Sequence, residues 1–247
     1  MKVVFLGTNG WYDTETGNTI CTLVQTERYD IILDAGNGLH KVDRYIDGGK
    51  PVFLFLSHFH VDHIEGLHIL AKFRFAQGLT LCGPAGSRDV LGTFLNAPFT
   101  IPLSWLSYPS RIIELPEEAA ALPFSVEALP LRHASLTLGY RIAIDDRIVG
   151  YCPDTGYCEN AVALARSAAL LIAECAYKQG QSCEEWPHLN PETAARIAIE
   201  AGAKRLVLTH FDAGVYRTIP ERKESERVAA GIFAATTAGT DGLEIML

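Results

Sequence analysis

The stretch Val52-Phe53-Leu54-Phe55-Leu56-Ser57-His58-Phe59-His60-Val61-Asp62-His63 decides how this chain of 247 residues is read. Its first five residues are apolar without a break, which is the pattern of a short strand buried on both faces. The next seven hold three imidazoles and a carboxylate. Such groups, delivered by a buried strand, are costly to desolvate, and a cation is their natural compensation. His58 and His60 stand two apart and can aim at one ion, while Asp62 and His63, past the turn, can aim at a second. Two ions roughly 3.5–4 Å apart form the usual dinuclear hydrolytic site.

Outward from this stretch, strand-like runs recur at 3–6, 19–26, 31–34, 80–82, 125–129, 138–144, 148–152, 170–174, 205–209 and 243–246. Helical patterns lie between them at 64–75, 87–95, 161–167, 191–201 and 221–235. The clearest is 191–201, where Asn190 can cap, Pro191 suits the first helical position and Gly202 can end the helix left-handed. Two groups of strands with helices around each indicate an α/β protein with two sheets between helical layers. No linker-like segment divides it, so residues 1–247 are read as one domain.

The net charge of −8 and the absence of a Lys/Arg block argue against an extended nucleic-acid surface. The richest basic stretch, Arg217 to Arg227, is interleaved with Glu221, Glu224 and Glu226 and is expected to be a solvated helix face. Six cysteines without a Cys-x-x-Cys pair, and no leader before the first strand, fit a reducing cytoplasm. No apolar run reaches the roughly 20 residues that span a bilayer. Cys152 and Cys175 flank candidate site residues but read as buried packing thiols rather than ligands.

The motif His-x-His-x-Asp-His after a hydrophobic strand resembles the signature of the metallo-β-lactamase superfamily. Val3–Thr8, Asp34-Ala35-Gly36, His133, Asp154 and His210 match the remaining motifs of that family in order. Within it the chain is most similar to the ribonuclease Z-like phosphodiesterases, because Glu174 and His188-Leu189-Asn190 fall where those proteins carry two further signatures. The resemblance implies a four-layer αββα fold. It also implies that His58, His60 and His133 hold one metal, that Asp62, His63 and His210 hold the other, and that Asp154 bridges both. Asp34 would support a ligand from behind. Asp145 and Asp146 compete with Asp154 for the bridge but sit in a hairpin-turn context, and His40 and His68 match no motif.

Asp62, Glu174 and His188 are the candidate catalytic residues. Glu174 ends an apolar strand, where a carboxylate needs a partner, and the resemblance makes His188 a general acid oriented by Glu174. The expected cofactors are two divalent ions, zinc first, with Mn²⁺ or Fe²⁺ able to occupy the same ligands. The expected reaction is hydrolysis of a small or short-nucleotide phosphodiester by in-line attack of a metal-bridging hydroxide. Departures from ribonuclease Z count against tRNA as the substrate. Only a hairpin separates His133 from Asp154, where short forms of that enzyme carry a tRNA-binding arm. The family's early Arg-Asn stands here as Gly17-Asn18, and its late Arg-Tyr is not in register within Phe211–Tyr216. The alternatives are a glyoxalase II-like thioester or lactone hydrolase, a tRNA-processing ribonuclease Z and a non-catalytic metal-binding scaffold. A homodimer stays open.

Overall fold

The computed structural model describes residues 1–247. The chain runs through β1 (Lys2–Gly7), β2 (Asn9–Gly10), β3 (Cys21–Gln25), β4 (Asp30–Leu33), β5 (Val52–Phe55), α1 (Val61–Ile64), β6 (Leu79–Pro84), α2 (Ser87–Phe94) and β7 (Ser110–Leu115). It continues with β8 (Ser125–Pro130), β9 (Leu138–Ile144), β10 (Arg147–Cys152), α3 (Glu159–Ala165), β11 (Leu170–Glu174), α4 (Pro191–Ala201), β12 (Leu206–Thr209), β13 (Phe211–Asp212), α5 (Ile219–Ala230), β14 (Thr236–Ala238) and β15 (Glu244–Met246). One sheet has the order β15-β1-β3-β4-β5-β6-β7, the other β14-β12-β11-β10-β9-β8. β2 and β13 form a short parallel pair beside them.

Strand alternation explains why the sheets stack. In β5, Phe53 and Phe55 enter the core between the sheets, whereas Val52 and Leu54 pack outward under the helical layer. In β11, Leu170 and Ile172 face the same inter-sheet core and Leu171 and Ala173 face α4 and its neighbours. Strands apolar on both faces therefore need a layer on each side, which gives the αββα stack. Truncating a fully buried ring such as Phe55 costs about 3–5 kcal/mol.

The pattern at 191–201 is borne out residue for residue: Asn190 accepts a hydrogen bond from Thr193 N at 2.9 Å, Pro191 opens the helix and Gly202 closes it at φ 62°. Other elements differ. The expected helix at 64–75 is one α-turn, α1, followed by a 3₁₀ stretch from Glu65 to Lys72. The stretch Asn37–Arg44 is also 3₁₀, and β7, which is not among the strand-like runs of the sequence, is the edge strand of its sheet. The reading of the Arg217–Arg227 face needs a correction. Arg222 is fully buried and donates to Thr8 Oγ1 and Thr16 Oγ1, because α5 turns Arg222, Ser225 and Ala229 inward. No helix is long and apolar enough to cross a membrane.

Candidate metal centre

Strand ends from both sheets meet at one edge of the stack. β5 delivers His58, His60, Asp62 and His63, and β4 delivers Asp34 from the same sheet. From the other sheet come His133 after β8, Asp154 after β10, Glu174 at the end of β11 and His210 after β12. Because β10, β11 and β12 run parallel, their C-terminal ends lie side by side.

The donors fall into two sets that share one carboxylate. His58, His60 and His133 surround Asp154 on one side, and Asp62, His63 and His210 gather on the other. Asp154 divides its oxygens between them. Oδ2 is 3.8 Å from His58 Nε2 and 3.7 Å from His133 Nε2, while Oδ1 is 3.1 Å from His63 Nε2 and 3.2 Å from His210 Nε2. Within the sets, His60 Nδ1 lies 3.4 Å from His133 Nε2 and Asp62 Oδ2 lies 3.3 Å from His210 Nε2. Ligands about 2.0–2.1 Å from a tetrahedral zinc stand about 3.3 Å from one another, so both sets fit a cation of that size. The buried His58 Nε2 has no hydrogen-bond partner, as a nitrogen reserved for a cation would not.

The groups behind the donors fix which ring nitrogen faces the centre. Asp34, fully buried, accepts at Oδ2 from His63 Nδ1 at 2.8 Å, from Ser57 Oγ at 2.8 Å and from the Tyr151 hydroxyl at 2.6 Å. Ser57 N donates to Oδ1 at 2.7 Å. With its hydroxyl hydrogen committed to Asp34, Ser57 Oγ accepts from His58 Nδ1 at 2.9 Å. One carboxylate thus turns Nε2 of a histidine in each set toward the centre. His133 Nδ1 points at Pro187 O, 3.5 Å away.

Electrostatics follow the same division. Burial, then the charge of His63, pushes the His58 imidazole far below its usual pKa, so it is a neutral base. Burial opposes ionisation of Asp62 and Asp154, yet the imidazoles around them, His63 and His210 foremost, hold both carboxylates well below the usual range. Burial likewise works against charge on His63 and His210, but Asp154 and its neighbouring carboxylates outweigh it and raise both. The carboxylates of Asp62 and Asp154 therefore favour positive charge beside them.

His188 stands beside the cluster without belonging to either set, with one ring nitrogen near Asp154 and His210. Its Nδ1 donates to Glu174 Oε1 at 2.6 Å. Glu174 is fully buried and also accepts from Thr155 N at 2.6 Å and Ala176 N at 3.0 Å, the partners that its place on an apolar strand demanded. Burial disfavours the imidazolium, but Glu174, followed by Asp154 and Asp212, pushes His188 up to about 9. Asp145 and Asp146 lie in the two-residue β9–β10 turn at φ 50° and 54°, in the run outside the cluster, and the chain between His133 and Asp154 makes no structure beyond this hairpin. His40 and His68 each turn Nδ1 to a nearby backbone carbonyl. Cys152 and Cys175 are buried thiols directed at backbone carbonyls.

A residue that composition and spacing did not single out is Gly10. A Cβ there would stand 2.5 Å from His210 Cε1, so only glycine lets β2 run against that ring. The Asn9-Gly10 pair after the first strand is the signal that marks it.

A family model described as the beta-lactamase superfamily domain matches residues 29–211. The chain belongs to the metallo-β-lactamase superfamily. This superfamily member is 30% identical to a Bacillus subtilis protein named probable metallo-hydrolase YhfI, with 94% of this chain and 95% of that one aligned. The crystal structure of YhfI superposes with a TM-score of 0.81 at 25% identity, over 99% and 98% of the two chains. Ribonuclease Z of Bacillus velezensis is 27% identical, with 99% of this chain and 98% of the enzyme covered. That alignment is 309 positions long against a chain of 247 residues, so this superfamily member lacks several tens of residues present in the ribonuclease. It is a metallo-hydrolase by family, with a His/Asp cluster able to bind metal.

Proposed function

We propose that the chain is a dinuclear phosphodiesterase that hydrolyses a small phosphodiester. His58, His60 and His133 would hold one divalent ion, Asp62, His63 and His210 the other, and Asp154 both, with zinc the best match to a histidine-rich set. Two such ions supply Lewis acidity toward phosphoryl oxygens and a nucleophilic water near neutral pH. The observation that carries the reading is the Glu174–His188 pair beside the shared carboxylate, since an acyl hydrolase has less use for a dedicated acid at that place.

The chain's own residues then divide the work. Glu174, fixed by two backbone N–H groups, holds His188 Nδ1 and keeps the ring protonated. As the water oxygen bonds to phosphorus and the opposite P–O bond breaks, His188 gives its Nε2 proton to the departing oxygen. The Asn190 cap and α4 anchor the segment that carries His188. Asp62 Oδ2 accepts from Trp11 N at 2.7 Å, which orients the carboxylate toward His210. The short β9–β10 hairpin leaves no arm for tRNA, which favours a compact substrate.

The test offers the metal-loaded protein bis-p-nitrophenyl phosphate, a thioester and a lactone. Turnover of the phosphodiester is expected to exceed that of both acyl substrates. A clear preference for thioester or lactone overturns the proposal, as does a protein that takes up less than one zinc or manganese ion per chain.

A further inference from the structure

Two tryptophans stand where the mechanism assigns their rings no role. Trp11 and Trp186 are 69% and 48% exposed, and both line the cavity of about 700 Å³ over the cluster. They belong to different walls. Trp11 follows Gly10 on the side of His210, and its N–H holds Asp62. Trp186 lies on the side of the other set: its indole stacks on His60 at 5.5 Å with 9° between the planes, and meets His133 edge-on at 5.5 Å.

Neither ring is placed there to fill a core. Trp11 is held at φ 75°, a region that a bulky residue enters only at a cost in backbone energy, and the bond to Asp62 helps to keep it there. Trp186 gives one face to His60 and remains half exposed. Large apolar rings presented to solvent around a concave site are the feature of a surface that takes a ligand.

The charge of the cavity narrows that ligand. No lysine or arginine lines it. Of its three aspartates, Asp62 and Asp154 belong to the cluster, and Asp212 is committed to the N–H groups of Gly214 and Val215. Away from the cluster and His188, nothing on the wall would balance a second phosphate, and a polynucleotide track needs many such cations. Its size lies within the roughly 300–1,000 Å³ of pockets that hold one small molecule.

We infer that Trp11 and Trp186 are specificity residues that stack on the single nucleobase of a singly charged nucleoside phosphodiester whose phosphorus rests over the cluster. The inference rests on the phosphodiesterase reading above and names its substrate class. Stacking on indole accepts every base, so the base itself is not discriminated.

The test uses the metal-loaded protein and two phosphodiesters with the same non-aromatic leaving group, thymidine 5′-(2,2,2-trifluoroethyl phosphate) and methyl 2,2,2-trifluoroethyl phosphate, followed by ¹⁹F NMR. The nucleoside ester is expected to have a kcat/KM at least about tenfold higher, chiefly through KM, and W11A and W186A should each reduce that ratio about tenfold. W11F and W186F should keep most of it. Calorimetry of thymidine 5′-monophosphate against ribose 5-phosphate supplies a readout independent of turnover, with the nucleotide expected to bind about tenfold tighter. If neither ester is hydrolysed but the nucleotide retains its advantage and loses it in W11A, the phosphodiesterase reading fails and the aromatic clamp stands. A wild-type ratio near one with equal binding overturns the clamp. Equal losses on both esters in the variants, or a change in oligomeric state with the ratio intact, overturn it as well.

Discussion

The carboxylate of Asp34 offers a direct test of how the centre is built, because it belongs to neither donor set yet fixes one histidine in each, His63 directly and His58 through Ser57. It accepts four hydrogen bonds, three of them at Oδ2, from His63, Ser57 and Tyr151. Asp34→Asn keeps the volume but puts either an N–H₂ against those three donors or, if flipped, one against Ser57 N. In the first orientation His63 loses the acceptor that directs its Nε2 to the cluster, and Ser57 is freed to rotate away from His58 Nδ1; in the second, an N–H₂ faces Ser57 N and displaces the backbone that leads into His58. Loss of a supporting partner of this kind lowers metal affinity about 10–100-fold. Because His58 and His63 belong to different sets, both affinities should fall, not one. At least one buried donor is also left unpaired, which costs about 1–3 kcal/mol and lowers Tm by several degrees for a chain of this size. Competition with a chromophoric chelator measures the two affinities, and a circular dichroism melt confirms the fold. Wild-type affinity at both sites in a folded Asp34→Asn protein would refute the role given to Asp34; a fall at only one would sever it from the other histidine.

Three further outcomes are expected. Gly10→Ala should push the His210 ring aside and weaken metal at the Asp62/His63/His210 set at least tenfold, while the His58/His60/His133 set changes little; unchanged metal affinity at both sets would contradict the contact. His188→Ala should leave metal content normal and reduce turnover of an alkoxide-leaving phosphodiester about 10²–10⁴-fold, with a far smaller loss for a p-nitrophenolate leaving group; equal losses would exclude a proton donor. Glu174→Gln removes the charge that chiefly raises His188 against the effect of burial. A general acid works while protonated, so a raised pKa extends activity toward alkaline pH. The variant's alkaline limb should therefore move to lower pH in a pH–rate profile, and a limb that stays in place would separate Glu174 from His188.

The cluster was legible in the sequence because its chemistry is local: a buried strand, then ligands at fixed spacing, and every further ligand at the end of an apolar run. The runs of strand and helix indicated an α/β protein, and the four-layer arrangement was implied by the resemblance; strands apolar on both faces are its physical reason. The elements that were misread lack such periodicity. β7, with Ser110-Arg111-Ile112-Ile113-Glu114-Leu115, is an edge strand with polar residues on both faces, Arg111 beside Ile113 and Leu115 and Ser110 and Glu114 beside Ile112, and the 3₁₀ stretches imitate helical spacing without forming α-turns. Arg222 looked solvated because charge patterning reports the composition of a helix face and not its direction. Its inward turn is set by partners more than 200 residues away, Thr8 and Thr16. Gly10 and Trp11 escaped for the same reason, since their meaning lies in contacts with His210 and Asp62 made only after folding.

The placement of the centre also couples chemistry to the stability of the fold. His58, His60, Asp62 and His63 arrive from one sheet, and His133, Asp154 and His210 from the other, so neither donor set is complete until the sheets pack face to face. The same seam is crossed by the Tyr151 hydroxyl, which reaches from β10 to Asp34 at the end of β4. Burial of Phe5, Phe55, Tyr140 and Ile172 drives the sheets together with an energy that depends on area and not on angle. A precise angle comes from directional contacts instead, and here these are the donors converging on Asp154 and the bonds converging on Asp34. A cation bound by donors from both sheets stabilises the packed arrangement by mass action, and the packed arrangement holds the donors at the separations that a cation needs.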